Sequence, residues 1–342
     1  MSAKKNKNQV SQRQEVVLSK KKRRVFFGIM ICLPIILLLL CELVLQLFNY
    51  GGDLRLFIEA PPGYEQYLRV NPNVARRFFT VQSVIPTPPH QLFFKKKPEN
   101  GFRIFVLGES SAAGFPYSAN ASFPNILCRM LSATFPEKQI EVINLSLSAV
   151  NSYTMLDFMD EILQQSPDLI LIYAGHNEYY GALGVGSSQS FGTFRGIIQL
   201  YLTLNSSRTF LLLRDCVGWI KLKVSSLLYH GNVVDPSATL MENVVAEQVI
   251  PLKSNLYEIG KKQFYDNLGA ILKKAQSKNV QVMIAELVSN VRDQEPFISL
   301  NTSEEESAED CFQKARKLEF AGKYNDARKF YVKAKDLDAL RF

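Results

Sequence analysis

The sequence predicts an α/β domain with a parallel sheet and helices on both faces, plus an N-terminal transmembrane helix and a C-terminal α-hairpin. Three observations predict this arrangement. Short runs rich in β-branched and aliphatic residues alternate with helical segments over residues 101–300, and such alternation specifies a parallel sheet covered on both faces. A long apolar run occupies residues 25–48, and a helical pattern rich in Ala and Tyr occupies residues 301–342.

The positive charge of the chain is confined to its first residues. The 342 residues have a formal net charge of +8, and residues 1–24 contain nine Lys or Arg and one Glu. Everything after Arg24 therefore sums to zero, which provides no basic face for a nucleic-acid partner. We interpret residues 1–24 as a basic cytoplasmic tail and expect no nucleic-acid binding.

Residues 25–48 are predicted to form a transmembrane helix. Glu42 is their only charged residue, and the run is long enough to cross roughly 30 Å of hydrocarbon. The basic cluster from Lys20 to Arg24 precedes the run, so we expect the N-terminus in the cytoplasm and the main domain outside it. In a bacterium this is the inner membrane with a periplasmic domain. The alternative is a cleaved signal peptide, which the length of the run disfavours.

The rest of the chain divides by composition. Residues 49–100 contain six prolines between Pro61 and Pro89, which exclude long helices and indicate a Pro-rich linker that packs along the domain. In the α/β region the predicted strands are 102–107, 141–145, 168–173 and 280–287, and the predicted helices are 123–135, 151–165 and 264–277. Residues 182–250 interrupt the alternation with apolar helical stretches at 197–204 and 210–228. We interpret them as a lid, as a surface for membrane or partner, or as an insertion that extends the core.

Polar residues stand at the ends of three of the predicted strands. They are Gly108-Glu109-Ser110-Ser111 after the first strand, Asn144-Leu145-Ser146-Leu147-Ser148-Ala149 at the end of the second, and Gly175-His176-Asn177-Glu178 after the third. Such ends converge on one crevice in open parallel sheets. Ser110 also stands where a helix can begin, so backbone N–H groups there favour developing negative charge.

In order and spacing these three segments resemble the SGNH or GDSL hydrolase family, whose blocks are Gly-Asp-Ser, a Gly, and Gly-x-Asn-Asp. The resemblance implies an SGNH-type fold over residues 101–300, with Ser110 as the nucleophile, Ala149 as a backbone oxyanion donor and Asn177 as a side-chain oxyanion donor. It further implies that the substrate site includes Gly108, Glu109, Ser111, Gly175, His176 and Glu178. The chain departs from the family at Glu109, Ala149 and Glu178. Ala149 keeps its N–H but suits the position poorly if φ must be positive.

The catalytic base is missing from the pattern. A serine nucleophile needs a base, normally a His held by an Asp, and the family supplies both from an Asp-x-x-His block near its C-terminus. His90, His176 and His230 are the three histidines, and none has an Asp three residues before it. We expect that the chain is truncated before this block and that this fragment is inactive. The alternatives are a non-catalytic relative, and His176 as a replacement base rather than a residue that shapes the substrate site.

Residues 301–342 contain one incomplete tetratricopeptide-like repeat after an acidic linker. Its pattern comprises Gly322, Tyr324, Ala327, Tyr331, Ala334, Leu337 and Asp338. In such repeats small residues allow two antiparallel helices to approach and aromatic residues fill the gap between them. A lone amphipathic helical hairpin is the alternative.

These patterns together predict a membrane-anchored serine ester hydrolase that acts on acyl or acetyl esters of envelope glycans or lipids outside the cytoplasm. An O-acyltransferase would use the same acyl-serine intermediate, and an inert membrane-tethered tetratricopeptide scaffold is a third possibility. An α/β-hydrolase is disfavoured because Ala112 occupies the last place of Gly-x-Ser-x-Gly. The expected partners are an acyl-ester substrate, the lipid membrane and a protein bound by the tetratricopeptide-like segment. We expect no cofactor, and no cluster has the spacing of metal ligands.

Overall fold

The chain folds into two units, residues 1–50 and residues 51–342. The structure, a computed structural model, describes residues 19–79, 85–117, 119–187, 194–228, 249–301 and 306–340. Most of the predicted basic tail, His230 and part of the acidic linker therefore lie outside the described residues.

The first unit contains one long helix, α1 (Lys20–Leu47). Ser19 caps it, because its hydroxyl accepts a hydrogen bond from the Lys22 amide. The helix has 28 residues, a mean hydropathy of 2.8 in its most apolar window, and no buried residues in that window. Its length and composition suffice to cross a membrane, and they also fit a signal sequence. The helix begins before the predicted apolar run because Lys and Arg are good helix formers.

The second unit is built on a parallel sheet of four strands in its described part. These are β4 (Gly101–Gly108), β5 (Gln139–Asn144), β6 (Leu169–Tyr173) and β7 (Gln281–Ile284), in the order β5-β4-β6-β7. All three neighbouring pairs are parallel. The sheet confirms the four strands predicted from sequence, although β7 ends three residues earlier than expected.

Alternate residues of β4 pack against helices on opposite faces of this sheet. Ile104 and Val106 lie in a cluster with side chains of α3 (Phe123–Thr134), whereas Phe105 and Leu107 lie in the cluster that contains α4 (Ser152–Leu163) and α7 (Asn255–Gln276). Burial of each such side chain contributes about 1.5–3 kcal/mol. The prediction of helices on both faces is confirmed. Helix α7 begins nine residues before the predicted start, where the Ser254 hydroxyl caps it.

The Pro-rich segment forms a second, three-stranded antiparallel sheet. Its strands are β1 (Phe57–Glu59), β2 (Tyr67–Val70) and β3 (Leu92–Phe94). Phe93 joins this small sheet to the main one, since its ring centroid lies 5.0 Å from that of Phe57 and 5.8 Å from that of Phe105. The predicted linker thus contributes directly to the main hydrophobic core.

Two pairs of helices complete the described chain. The predicted helical stretches in the insertion form α5 (Arg195–Leu204) and α6 (Arg208–Leu228). Helices α8 (Ala308–Phe320) and α9 (Tyr324–Leu337) form a hairpin. The hairpin buries Ala327, Tyr331 and Ala334 against Phe312, as the spacing of small and aromatic residues predicted. Its identity as a tetratricopeptide repeat stays a prediction.

Candidate active site

The first site loop follows β4 and begins a single helical turn, α2 (Ser110–Ala113). Gly108 precedes it in a position where a Cβ atom would lie 2.5 Å from the Ala112 Cβ and 2.8 Å from the Tyr173 carbonyl oxygen. No side chain fits there, so the close approach requires glycine. Ser110 is half-buried and Ser111 is exposed. The turn ends at Gly114, whose φ of 109° favours glycine.

Glu109 ties this first loop to the loop after β6. Its side chain is buried, and its two carboxylate oxygens accept hydrogen bonds of 3.1 Å from the amides of Gly175 and Asn177. Burial raises the pKa of Glu109 to about 7, while these amide bonds act in the opposite direction. Gly175 has a φ of 137°, which side chains rarely adopt. Glu109 therefore fixes the backbone on both sides of His176.

The loop after β5 is tied to α2 by Asn144. The Asn144 Nδ2 donates to the Ala112 carbonyl oxygen at 2.8 Å, and its Oδ1 accepts from the Ser146 amide at 3.1 Å. The Leu147 amide donates to the Gly108 carbonyl oxygen at 3.3 Å. All three strand-end loops are thus joined at the carboxyl edge of the sheet.

Ala149 lies farther along the second loop, in the left-handed region. Its φ is 56°, its side chain is buried, and its carbonyl oxygen accepts a hydrogen bond of 2.8 Å from the Ala182 amide. A positive φ is the conformation that Sequence analysis described as unfavourable for an alanine at this position. It costs a non-glycine residue roughly 1–2 kcal/mol, but the N–H group is retained.

Asn177 places a side-chain amide inside the third loop without a protein partner. Only 4% of the residue is exposed, and its Nδ2 is buried with no hydrogen bond to the described residues. An unsatisfied buried donor costs about 1–3 kcal/mol. Because native structures tolerate few such groups, each indicates strain or function at its position.

Glu178 anchors the third loop to the helices beneath it. Its carboxylate accepts hydrogen bonds from the Ser152 amide at 3.1 Å and the Ser152 hydroxyl at 2.7 Å. The Asn267 Nδ2 donates to that same hydroxyl at 2.9 Å, and the Arg195 Nε donates to the Asn267 Oδ1 at 2.9 Å. Burial raises the pKa of Glu178 to about 8, and the nearby Glu109 charge raises it further, while the Ser152 bonds lower it.

His176 lies between these two anchored residues. Its Nδ1 is 3.8 Å from the Glu109 carboxylate, too far for a hydrogen bond, and 26% of its side chain is exposed. Burial lowers the pKa of His176, although a hydrogen bond with the Val288 backbone opposes this. The imidazole is therefore neutral near pH 7. His90 is exposed on the segment before β3.

The predicted site segments come together, but two of their side chains point inward. The carboxylates of Glu109 and Glu178 accept hydrogen bonds from protein donors and hold these loops in place; their assignment to the substrate site stays a prediction. Sequence reasoning missed Ser152 and Asn267, and it named Asn144 only as the first residue of the second segment. Asn144 had a usable signal, because it is a polar residue at a strand end, whereas Asn267 is one polar residue among many on an amphipathic helix.

Comparison with known proteins gives structural matches alone. No protein-family model and no curated protein matches the sequence. Among solved structures, TesA is 15% identical over 53% of this chain and 76% of its own, with a TM-score of 0.24. The esterase EstA from Pseudoalteromonas sp. is 18% identical over 54% and 76%, with a TM-score of 0.25. AlinE4, an SGNH-hydrolase family esterase, is 14% identical over 53% and 75%, with a TM-score of 0.24. These low scores establish no shared function.

Proposed function

We propose that this protein is an SGNH-type serine ester hydrolase, anchored by α1 and acting on acyl or acetyl esters outside the cytoplasm. One observation carries the proposal. The buried Nδ2 of Asn177 has no described partner, and it lies on the loop that Glu109 joins to Ser110. A fixed, unpaired side-chain amide on a loop that is hydrogen-bonded to the residue before a serine can serve as a donor to a developing oxyanion.

In the proposed reaction a base, supplied by imidazole in the test below, takes the Ser110 hydroxyl proton as the oxygen attacks the ester carbonyl carbon, and it returns the proton to the leaving alkoxide. The carbonyl oxygen becomes negative and accepts hydrogen bonds from the Asn177 side chain and from the amides of Ala149 and Ser110. Collapse of this intermediate releases the alcohol and leaves an acyl-serine, which water then hydrolyses. Each oxyanion donor contributes about 2.7–4 kcal/mol of transition-state stabilisation when it is held in position beforehand.

The neighbouring residues position these groups. Glu109 holds the Asn177 backbone through its amide, and Glu178 holds the next residue through Ser152. Gly108 permits the close packing of the serine turn, and Gly175 permits the sharp bend before His176. We assign the neutral His176 ring and the exposed Ser111 to the substrate pocket, where the ring shapes the acyl-binding side.

Placement of the site outside the cytoplasm follows from the basic cluster that precedes α1. Positive residues next to a membrane helix favour the cytoplasmic side, so the second unit faces the outside. The substrates that we propose are acyl or acetyl esters of envelope glycans or lipids. We further propose that α8 and α9 are a tetratricopeptide-like unit that binds a partner peptide, on the basis of the small residues Ala327 and Ala334 at their contact.

The test is covalent labelling of the full chain with a fluorophosphonate, in buffer that contains imidazole as an external base because the chain has no Asp-x-x-His block. We expect mass spectrometry to find the label on Ser110, and no label on Ser110→Ala. Asn177→Ala should slow labelling about 100-fold, as the loss of one oxyanion donor does elsewhere. Ser277→Ala, which alters an exposed serine just after α7, is the matched control and should label normally.

Two outcomes would contradict this assignment. One is equal labelling of Ser110→Ala and the unaltered chain. The other is a folded, unaltered chain that stays unlabelled at Ser110 in the presence of imidazole.

A further inference from the structure

Helix α6 carries an apolar stripe that no other described residue of the protein covers. Leu213, Val217, Ile220 and Val224 follow the spacing of one helical face, and between 46% and 61% of each residue is exposed. Trp219 lies beside this stripe and is 62% exposed. Apolar side chains that line one face of an exposed helix mark an interaction surface.

Helix α5 adds a second exposed apolar row. Ile198 and Tyr201 point into the core, whereas Ile197, Leu200 and Leu204 are exposed, as is Phe194 just before the helix. We call the exposed apolar residues of α5 and α6 the α5–α6 surface. Ile198 and Tyr201 belong to the main core cluster, whereas no described residue of the domain covers the α5–α6 surface.

The first turns of α6 fix this surface to the protein. Leu211 is buried, Arg214 donates to the Arg76 carbonyl oxygen at 3.0 Å, and Arg208 donates to the Gly52 carbonyl oxygen. A Cβ atom on Gly51 would lie 2.9 Å from the Leu211 Cδ1. The base of α6 therefore contacts the first residues of the second unit.

Chain length places those same residues near the end of α1. Only residues 48–50 separate Leu47, the last residue of α1, from Gly51. Four residue steps span at most about 14 Å. If α1 crosses a bilayer, as proposed above, residues 48–50 limit how far the base of α6 can lie from the membrane surface.

The chemistry of the α5–α6 surface matches a lipid interface. Tryptophan concentrates at the boundary between hydrocarbon and water, and lysine reaches from there to the headgroups; the Lys223 Nζ lies 6.0 Å from the centroid of the Trp219 ring. Lys223 is exposed beside this stripe, and an exposed basic residue at a membrane surface favours anionic lipid headgroups.

We infer that the α5–α6 surface docks on the outer face of the membrane that α1 spans, with its apolar stripe in the lipid interface. This goes beyond ester hydrolysis and rests on the proposed anchoring by α1. A docked helix pair would hold the catalytic unit against the bilayer instead of leaving it on a free tether.

Trp219 is the only tryptophan in the chain, so its fluorescence reports this contact directly. The full chain is reconstituted in vesicles of phosphatidylcholine and phosphatidylglycerol, with or without bromine on the acyl chains. We expect brominated lipids to reduce Trp219 emission by about half, as for a ring at interfacial depth, and acrylamide to quench it weakly. The double variant Val217→Glu/Ile220→Glu should lose the bromine effect and become open to acrylamide.

The control is Tyr265→Glu, which adds a charge at a residue of α7 that is 78% exposed; it should behave like the unaltered chain. Unchanged circular dichroism shows that the double variant is folded. No bromine quenching of a chain that floats with the vesicles would overturn the docking proposal, and so would equal quenching in the double variant. Failure to float would overturn the anchoring instead, while labelling of Ser110 tests the hydrolase separately.

Discussion

The two ends of the parallel sheet bury carboxylates in opposite ways. At the amino end, Arg103 of β4 and Glu141 of β5 are direct neighbours in the strand register and form a buried ion pair of 2.8 Å. At the carboxyl end, Glu109 and Glu178 accept hydrogen bonds from backbone amides and a serine hydroxyl, and burial raises both pKa values. The same sheet therefore has one end with matched charges and one end where burial disfavours ionisation.

The matched end fastens the Pro-rich segment to the core. The Arg103 Nη2 donates to the Phe94 carbonyl oxygen at 2.7 Å, and the Glu141 Oε1 accepts from the Phe94 amide at 2.7 Å. The guanidinium also lies 5.1 Å from the centroid of the Phe93 ring. A buried ion pair with all its hydrogen bonds made specifies one arrangement.

The carboxyl end of the sheet has a strained backbone and an unpaired polar group at the site of the proposed reaction. The backbone of Ala149 lies in the left-handed region, and the side-chain Nδ2 of Asn177 has no hydrogen-bond partner among the described residues. Perturbed carboxylates and backbone strain cluster at functional sites because the surrounding structure holds them in place. The comparison indicates that the amino end of the sheet stabilises the fold. The carboxyl end contains groups that lower the stability of the folded protein.

The largest expected effect tests the matched end. Arg103→Ala should lower the free energy of unfolding by about 3–5 kcal/mol, because it leaves the Glu141 carboxylate buried without its cation. The double variant Arg103→Met/Glu141→Leu removes both charges and should be destabilised much less. Urea unfolding followed by circular dichroism measures both. Equal destabilisation of the single and double variants would contradict the view that this end depends on charge pairing.

A smaller effect, with a pH dependence, tests the unmatched end. Glu178 has a pKa of about 8 in the folded protein, above its ordinary value of 4.5, so protonation favours folding. Its stabilising contribution is complete below the ordinary pKa and is lost as the pH rises through 8. Glu178→Gln cannot ionise, so at pH 9 we expect its stability to exceed that of the unaltered chain by ~2 kcal/mol.

Thermal melts at pH 6 and pH 9 measure this difference, which corresponds to roughly 5 °C in Tm. The exposed Glu137→Gln is the matched control and should follow the unaltered chain at both values. If the melting temperatures of Glu178→Gln and the unaltered chain fall equally between the two pH values, Glu178 is not the group that titrates.

The smallest expected effect concerns the backbone at Ala149. Because its φ of 56° suits glycine, Ala149→Gly should raise the free energy of unfolding by about 0.5–1 kcal/mol, after the greater flexibility of glycine in the unfolded chain is subtracted. The same urea unfolding measures it. A loss of stability would show that the methyl group contributes more by packing than the backbone conformation costs.

The elements of the fold were predictable because each depends on neighbours in sequence. The apolar run of residues 102–107 predicted a buried strand, and the Ala and Tyr spacing of α9 predicted its inner face. The polar residues after three strands predicted a common site, because parallel strands deliver their carboxyl ends to one edge. The apolar run predicted α1 by length and composition.

Long-range partners were not predictable in the same way. The link from Glu178 through Ser152 to Asn267 joins residues 26 and then 115 positions apart, and nothing in the local pattern of α7 distinguishes Asn267 from its other polar residues. Likewise, Pro-rich residues 49–100 indicated short elements, but the packing of Phe93 on Phe105 depends on both sheets being in place.

The sequence by itself determined which segments are helices, strands and apolar spans, and which polar residues stand at strand ends. Only the tertiary structure decided that Glu109 and Glu178 face inward as anchors and that the Asn177 side chain stays unpaired. The physical reason is that periodicity and strand ends are local properties of the chain. Burial and hydrogen bonding depend on what distant segments bring to the same place.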